Sequence, residues 1–476
     1  MNSSNATTLD RRQWLLAGAG FGTLALTHML ALDEVLGAAV HPEWNHGLHH
    51  AAKAKRVVQL FMNGGVSQID SFDYKPELAR RHGEKIDFGI KMAATSVPGT
   101  IMKSPFAFRQ HGESGRWISS AFPQIASCVD DLAFLMAMAS KTNVHGPASY
   151  MQNTGFLRPG FPSLGAWMSY GLGSLNDNVP AFVVLPDPRG LPYNATGNFS
   201  QGFLPASHQG TAINPNTKIP IANLEPPASA MHITRKSEAE GLDLLHRLNA
   251  PYAASHPEDS RFEARMASYE LGAKLQLSAP QLFDLSDEST ETLADYGVND
   301  NLTYGFGRNC LIARRLLERD VRFVQVWSGM DGAANNWDNH SDIAKEFPLI
   351  ARSVDGPTAA LLRDLKQRGM LDDTLVIWTT EFGRMPFTQA ATTGRDHNGG
   401  TFVTWLAGAG IATGTSFGQS DEFGYQGAAG RTYCYDLHAT VLHLLGIDHR
   451  RLTFRNNGID RRLTDVHGQV VRQILS

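Results

Sequence analysis

The sequence predicts an α/β fold with a doubly wound, mainly parallel sheet, and three observations predict it. Short apolar runs without interruption recur along the chain, helical patterns separate them, and polar or glycine-rich clusters sit at or near the ends of several runs. An uninterrupted apolar run suits a strand buried on both faces, and glycines after it suit the loop where such folds bind ligands.

The first run is Arg56-Val57-Val58-Gln59-Leu60-Phe61-Met62, stopped by Asn63-Gly64-Gly65. Helix-like residues 119–129 lead to Leu132–Met138, a second buried strand. A helical piece around Ser163–Tyr170 precedes Ala181–Leu185, the third strand. From about 190 to 235 the chain is rich in Gly, Pro, Asn and Ser and reads as irregular loops. Residues 237–296 turn helical, with Phe262, Met266, Tyr269, Ala273 and Leu277 at helical spacing, a stripe that reads as a packing face. The alternation resumes with a helix near Arg308–Glu318, a strand Val321–Trp327 and a long helix from about Ser341 to Lys366, which Pro357 is expected to kink. Strands Thr374–Trp378 and Phe402–Leu406 and a helix near Leu437–Leu445 complete it. The reading is one domain over 41–476 with right-handed crossovers and a loop and helical insertion over about 190–300.

Composition narrows the function. The 476 residues carry 42 basic and 46 acidic side chains, a net charge of −4, which supplies no concentrated basic surface for nucleic acid. Only the first forty residues hold an apolar run long enough to concern a membrane. Arg11-Arg12 before a Gly/Ala-rich run that ends near Leu32 reads as a twin-arginine export signal, with Gly37-Ala38-Ala39 as a cleavage point. Residues 1–40 are therefore expected to address the chain to the periplasm and to be its one contact with a membrane. That route, as generally understood, carries folded proteins and suits a chain that takes up its metal before export. The 3 cysteines, Cys128, Cys310 and Cys434, form neither a disulfide framework nor a metal knuckle, so any metal would rest on imidazole and carboxylate.

Four polar clusters follow or flank predicted strand ends: Asn63 to Asp73, Asn336 to His340, Glu381 to Arg384, and Asp396 to Gly400. Parallel strands share one carboxyl edge, so distant clusters converge there. Carboxylates and imidazoles gathered at such an edge call for a cation to organise them. The readings stay paired: Asp338 is a ligand or a helix cap, and Asp70 and Asp73 are functional or turn formers. Glu381 after a buried strand and His397 before two glycines favour function, and Arg384 suits an anion.

The twin-arginine start, Trp337-Asp338-Asn339-His340, Thr380-Glu381-Phe382-Gly383-Arg384 and the run Tyr435 to Ile447 together resemble the DUF1501 family of exported bacterial proteins. That family in turn resembles the alkaline phosphatase and sulfatase superfamily, through the strand leading to Glu381, the helix from Asp436 and the segment from His145 to Gly155. The resemblance implies an alkaline phosphatase-like sheet with a metal site at its edge. It sets Asn63 where the first metal-binding Asp stands, Glu381 and Phe382 where an Asp-His pair stands, and His397 as the last metal-binding His. His340, with Asp338 or Asn336, resembles the Asp-x-x-x-His pair at shorter spacing. His145 falls at the nucleophile position, which leaves it as ligand, nucleophile or general acid, with Thr142 or Ser149 as substitute hydroxyls. Phe382 in place of a ligand points to one ion.

Two functions follow from these readings. The preferred one is an exported metal-dependent hydrolase of a sulfate, phosphate or related anionic ester, its substrate a small molecule or a glycan ester. Asp338, His340 and His397 would hold a divalent ion, zinc first, with manganese, calcium or magnesium as alternatives. Asn63, Glu381 and Asp70 would extend the site, Arg384 would grip the anion, and His145 or Asp70 would take a proton. The other is a non-enzymatic exported protein of the same fold that binds a glycan or an envelope protein.

Overall fold

The computed structural model describes residues 47–87, 89, 98–176, 178–217, 220, 235–255, 281–332 and 336–476. The signal reading of residues 1–40 and the stripe from Phe262 to Leu277 lie outside the described residues. No helix among those described is long and apolar enough to cross a membrane.

The predicted strands form β1 (Arg56–Met62), β2 (Leu132–Ala139), β3 (Phe182–Leu185), β4 (Phe323–Ser328) and β5 (Thr374–Thr379). A hairpin of β6 (Gly383–Gln389) and β7 (Arg395–Asn398) follows, then β8 (Phe402–Gly408). The nine-stranded sheet is ordered Ser416–Phe417, β2, β8, β5, β1, β4, β3 and Thr211–Ala212, with Thr432–Tyr433 also on β2. β1 is its centre, parallel to β4 on one side and β5 on the other. β8 is antiparallel to both β5 and β2. The carboxyl ends of β1 to β5 and the amino end of β8 therefore share one edge.

Main helices are α1 (His145–Thr154), α2 (Leu164–Leu172), α3 (Arg235–Ser255), α4 (Tyr304–Glu318), α5 (Ile343–Gln367) and α6 (Cys434–Leu444). α1 ends where Gly155 takes φ 80°, the left-handed cap glycine accepts readily. α5 runs without a break through Pro348 and Pro357, and its cap is Asp342, so Asp338 is not the helix cap. Residues 119–129 hold less helix than expected: Arg116–Ser119 is a strand, and only Pro123–Ala126 is α-helical. That short helix starts against Asp355 of α5, whose carboxylate accepts the Gln124 and Ile125 amides at 2.8 Å each. The three cysteines are free and buried.

A polar seam crosses the otherwise apolar sheet beneath α1. Gln325 of β4 donates to Gln59 of β1 at 2.9 Å and to Asn153 of α1 at 2.8 Å. Gln152 of α1 donates to Thr379 of β5 at 2.9 Å, and Thr379 meets Thr404 of β8 at 2.8 Å. Buried amides must be paired, so this seam fixes α1 on the sheet by direction as well as by area. It thereby fixes His145 at the start of α1. Gln325→Leu would leave the amide oxygens of Gln59 and Asn153 without this donor. It should lower stability by about 1–3 kcal/mol, read as a lower urea midpoint at unchanged slope; an unmoved midpoint would show the seam to be neutral.

Candidate metal centre

His145, Asp338, His340 and His397 offer four ligand atoms within 4.8 Å of one another. His145 opens α1, Asp338 and His340 lie in the loop between β4 and α5, and His397 lies on β7 opposite Arg384 of β6. Gly64 lets the loop after β1 approach: at φ 119°, a Cβ there would stand 2.6 Å from the Trp337 amide nitrogen. The Gly64 amide donates to Glu381 at 2.8 Å, which ties the ends of β1 and β5.

Each imidazole is oriented from behind. His145 Nδ1 donates to Glu381 Oε1 at 2.7 Å, His397 Nδ1 to the Asn143 carbonyl at 2.8 Å, and His340 Nδ1 to Gln389 Oε1. With Nδ1 as donor in all three, every Nε2 is left to face the centre, the arrangement that prepares histidine for a metal. The Nε2 atoms lie 3.2 Å (His145), 2.6 Å (His340) and 3.0 Å (His397) from Asp338 Oδ1, and those of His340 and His397 are 2.8 Å apart. His145 Nε2, though close to Asp338, is misaligned and has no hydrogen-bond partner. Three ring nitrogens and one carboxylate oxygen thus crowd one point, and a cation relieves that crowding.

Electrostatics follow from this packing. Burial works against an ionised Asp338, but the imidazoles and Arg384 outweigh it and hold its carboxyl far below the ordinary range. Burial opposes a charged His145 as well; Asp338 and Glu381 prevail and raise it. His397 is pushed down to about 4, by burial first and then by Arg384 and His145 against the pull of Asp338. Tyr193 stacks on His145 with ring centres 4.5 Å apart, and burial, then Asp338 and Glu381, raise its phenol.

Several predicted residues stand elsewhere. Arg384 is fully buried, and its guanidinium is committed to Asp338 at 2.7 Å and to the carbonyls of Gly64, Gly65, Trp337 and Arg395, so it does not grip an anion. Asp70 is no free base: its carboxylate pairs with Arg395 at 2.6 Å and accepts the Ser67 hydroxyl, both side chains of the ion pair being fully buried. Glu381 stands behind His145 rather than among the four ligand atoms. Asn63 is outside them too; its amide donates to Gly329 and Met330, and its buried Oδ1 has no hydrogen-bond partner. His145 is a fourth member of the cluster. Phe382 walls it, with its ring 4.8 Å from both His145 and His397. Asn336 accepts the Asp338 amide at 3.0 Å and shapes the turn. Asp73 pairs with Lys75 at 3.0 Å. Ser149 is buried and donates to Asn198, and Thr142 caps the turn before α1.

Tyr193, Gln389, Asn143 and Arg189 were not legible as site residues, since each sits in a polar loop or hairpin without a pattern of its own. Arg189 and the cluster members Asp338 and His340 line one groove of about 780 Å³, which also meets Tyr304, Glu346 and Leu349. His340 and His397 expose 28% and 19% of their side chains against 11% for His145, so the cluster opens on their side.

A family model described as "Protein of unknown function (DUF1501)" matches residues 54–475. No curated protein matches. Among solved structures, lipoteichoic acid synthase from Listeria monocytogenes is similar at 9% identity and TM-score 0.38, over 84% of this chain and 76% of the other. A sulfatase from Pseudoalteromonas sp. is similar at 12% and 0.35, over 90% and 71%. An alkaline phosphatase from an Antarctic bacterium is similar at 11% and 0.32, over 76% and 94%. Overlap at this level leaves the chemistry to the residues of this chain.

Glu381→Gln keeps the shape behind His145 and removes the charge. It should weaken divalent-metal binding about 10–100-fold in a chelator competition; equal affinity would show that Glu381 does not support the centre.

Proposed function

Because the chain belongs to the DUF1501 family, whose description leaves function open, its chemistry rests on its own side chains, and we propose an exported, divalent-metal-dependent hydrolase of anionic esters. Sulfate and phosphate esters are the substrate class. The carrying observation is the convergence of three Nε2 atoms and one carboxylate oxygen with every Nδ1 already donating.

Three imidazoles and one carboxylate suit zinc or another first-row transition ion better than calcium or magnesium, which prefer oxygen. His145, His340 and His397 would be the firm ligands. Asp338 Oδ1, shared with Arg384 at 2.7 Å, would be the more weakly donating one. When bound, the ion supplies Lewis acidity, polarising an ester oxygen and lowering the pKa of water to about 7. Glu381 holds His145 in register, Arg384 holds the Asp338 loop, and Phe382 keeps one wall apolar. Of the two hydroxyls that could have substituted, Ser149 is buried and donates to Asn198 and Thr142 accepts the Val144 amide, which supports attack by water.

Arg189 takes over the part expected of Arg384. Among the described residues it is the groove's one arginine or lysine, its Nε and Nη2 are held by Asp187 at 2.8 and 2.7 Å, and its Nη1 has no hydrogen bond. It would grip the anionic group, while the groove receives the rest of the ester, small molecule or glycan. The Arg11-Arg12 segment supports export by the twin-arginine route.

Elemental analysis and turnover of aryl sulfate and phosphate esters test the reading together. A stoichiometric divalent metal should be present, and chelation or the double variant His340→Ala, His397→Ala should remove both metal and turnover. Arg189→Ala should raise KM about tenfold or more with metal content unchanged. Metal-free protein, or turnover that survives loss of the metal, would overturn the reading.

A further inference from the structure

A second cluster of nitrogen groups lies at the opposite edge of the sheet. Residues just before β1 fold against the end of α6, where the Gly446 carbonyl accepts the amides of His49 and His50 at 2.8 and 3.2 Å. A cavity of about 370 Å³ opens there, lined by His50, His443, His449, Arg450, Arg472 and Asp448. β1 lies between this cavity and the metal centre, and a seven-residue strand is about 20 Å long. The two sites are separate.

Its charge is one-sided. Residues 448–472 contain six arginines, no lysine, three aspartates and no glutamate, although the whole chain is at −4. Among the described residues Asp448 is the one carboxylate at the cavity, and Arg450 already holds it. Among the described residues the Arg472 guanidinium has neither an ion pair nor a hydrogen bond. The His443 ring meets that of His50, with centres 4.5 Å apart, and His50 Nε2 is buried without a hydrogen-bond partner among the described residues. His443 is held below its ordinary pKa, by burial first and then by His50 and Arg472, with Asp448 opposing. The Arg472 guanidinium and the imidazole rings of His50 and His443 therefore face the cavity together, and an anion there would meet a positive charge and ring N–H donors at once. A divalent cation does not fit: the one set of three or more residues spaced for a metal among the described residues is the His145 cluster.

We propose that the cavity between His50, His443 and Arg472 is a binding site for a tetrahedral dianion, phosphate or the phosphate group of a monoester. Guanidinium presents forked donors that match such an oxyanion, and imidazole N–H groups complete the shell. The volume admits one phosphate and a small organic substituent rather than a polymer.

Calorimetric titration of the full chain tests this, with inorganic phosphate and glucose 6-phosphate as probes. The double variant His340→Ala, His397→Ala is titrated alongside, to remove any phosphate held by a metal. Phosphate should bind that variant as it binds the remote site of the wild-type chain. His443→Gln with Arg472→Gln should weaken binding about tenfold or more, while metal content and ester turnover stay as they were. Phosphate alone binding would identify the free ion as the ligand; equal or tighter binding of the sugar phosphate would identify a monoester. No phosphate binding in the metal-site variant, or binding indifferent to His443→Gln with Arg472→Gln, would overturn the assignment. Far-ultraviolet circular dichroism keeps a misfolded variant from counting as loss of the site.

Discussion

Too many acceptors meet at one point on the sheet's edge, and much of the surrounding structure is arranged around that excess. A carboxylate oxygen and three imidazole nitrogens face one another, with Arg384 as the principal donor among them. Such a group is stable only if the backing is stiff, because each ring would otherwise turn away or take up a proton. The stiffness comes from three different kinds of acceptor behind the rings: a carboxylate, an amide oxygen and a backbone carbonyl. The seam beneath α1 belongs to the same arrangement, since the helix that presents His145 is tied to β4 and β5 by buried amides.

Arg384 shows how one buried cation can organise several loops. Its guanidinium reaches carbonyls after β1, in the Trp337 loop and on β7, besides the Asp338 carboxylate. Removing it would leave those carbonyls and one carboxylate without their donor in a dry interior, the costly half of breaking a buried pair. The nearby Arg395–Asp70 pair repeats the device one layer away, with both side chains fully buried. Two arginines and two aspartates thus define the rim on which the imidazoles stand.

Most of the sheet was legible, because a doubly buried strand writes itself as an apolar run and β1 to β5 each kept that signature. Less legible was the antiparallel direction of β8, since an apolar run carries no arrow. Convergence of Asp338, His340 and His397 followed from strand ends sharing an edge. Which charged groups face the opening and which are locked against each other did not follow. Arg384 and Asp70 lie in polar clusters at the same sheet edge as those that hold the ligands, and only long-range partners decide that they are internal ties. His145 was visible as a position, yet its ligand-like orientation depends on Glu381, 236 residues away. The cationic cavity at the far edge was hidden by the net charge, because arginines gathered in the last part of the chain are offset by acids elsewhere.

The three thiols illustrate what burial can withhold from a metalloprotein. Cys128, Cys310 and Cys434 are each held above the ordinary thiol pKa, burial being the first cause. Thiolate, not thiol, is the soft ligand that outcompetes imidazole for copper and zinc and the form that oxidants attack. With its thiols kept protonated in the core, the chain offers an incoming ion no thiolate to compete with the imidazoles. It also gains independence from the oxidising or reducing state of whichever compartment it occupies, since nothing in its fold waits on a disulfide.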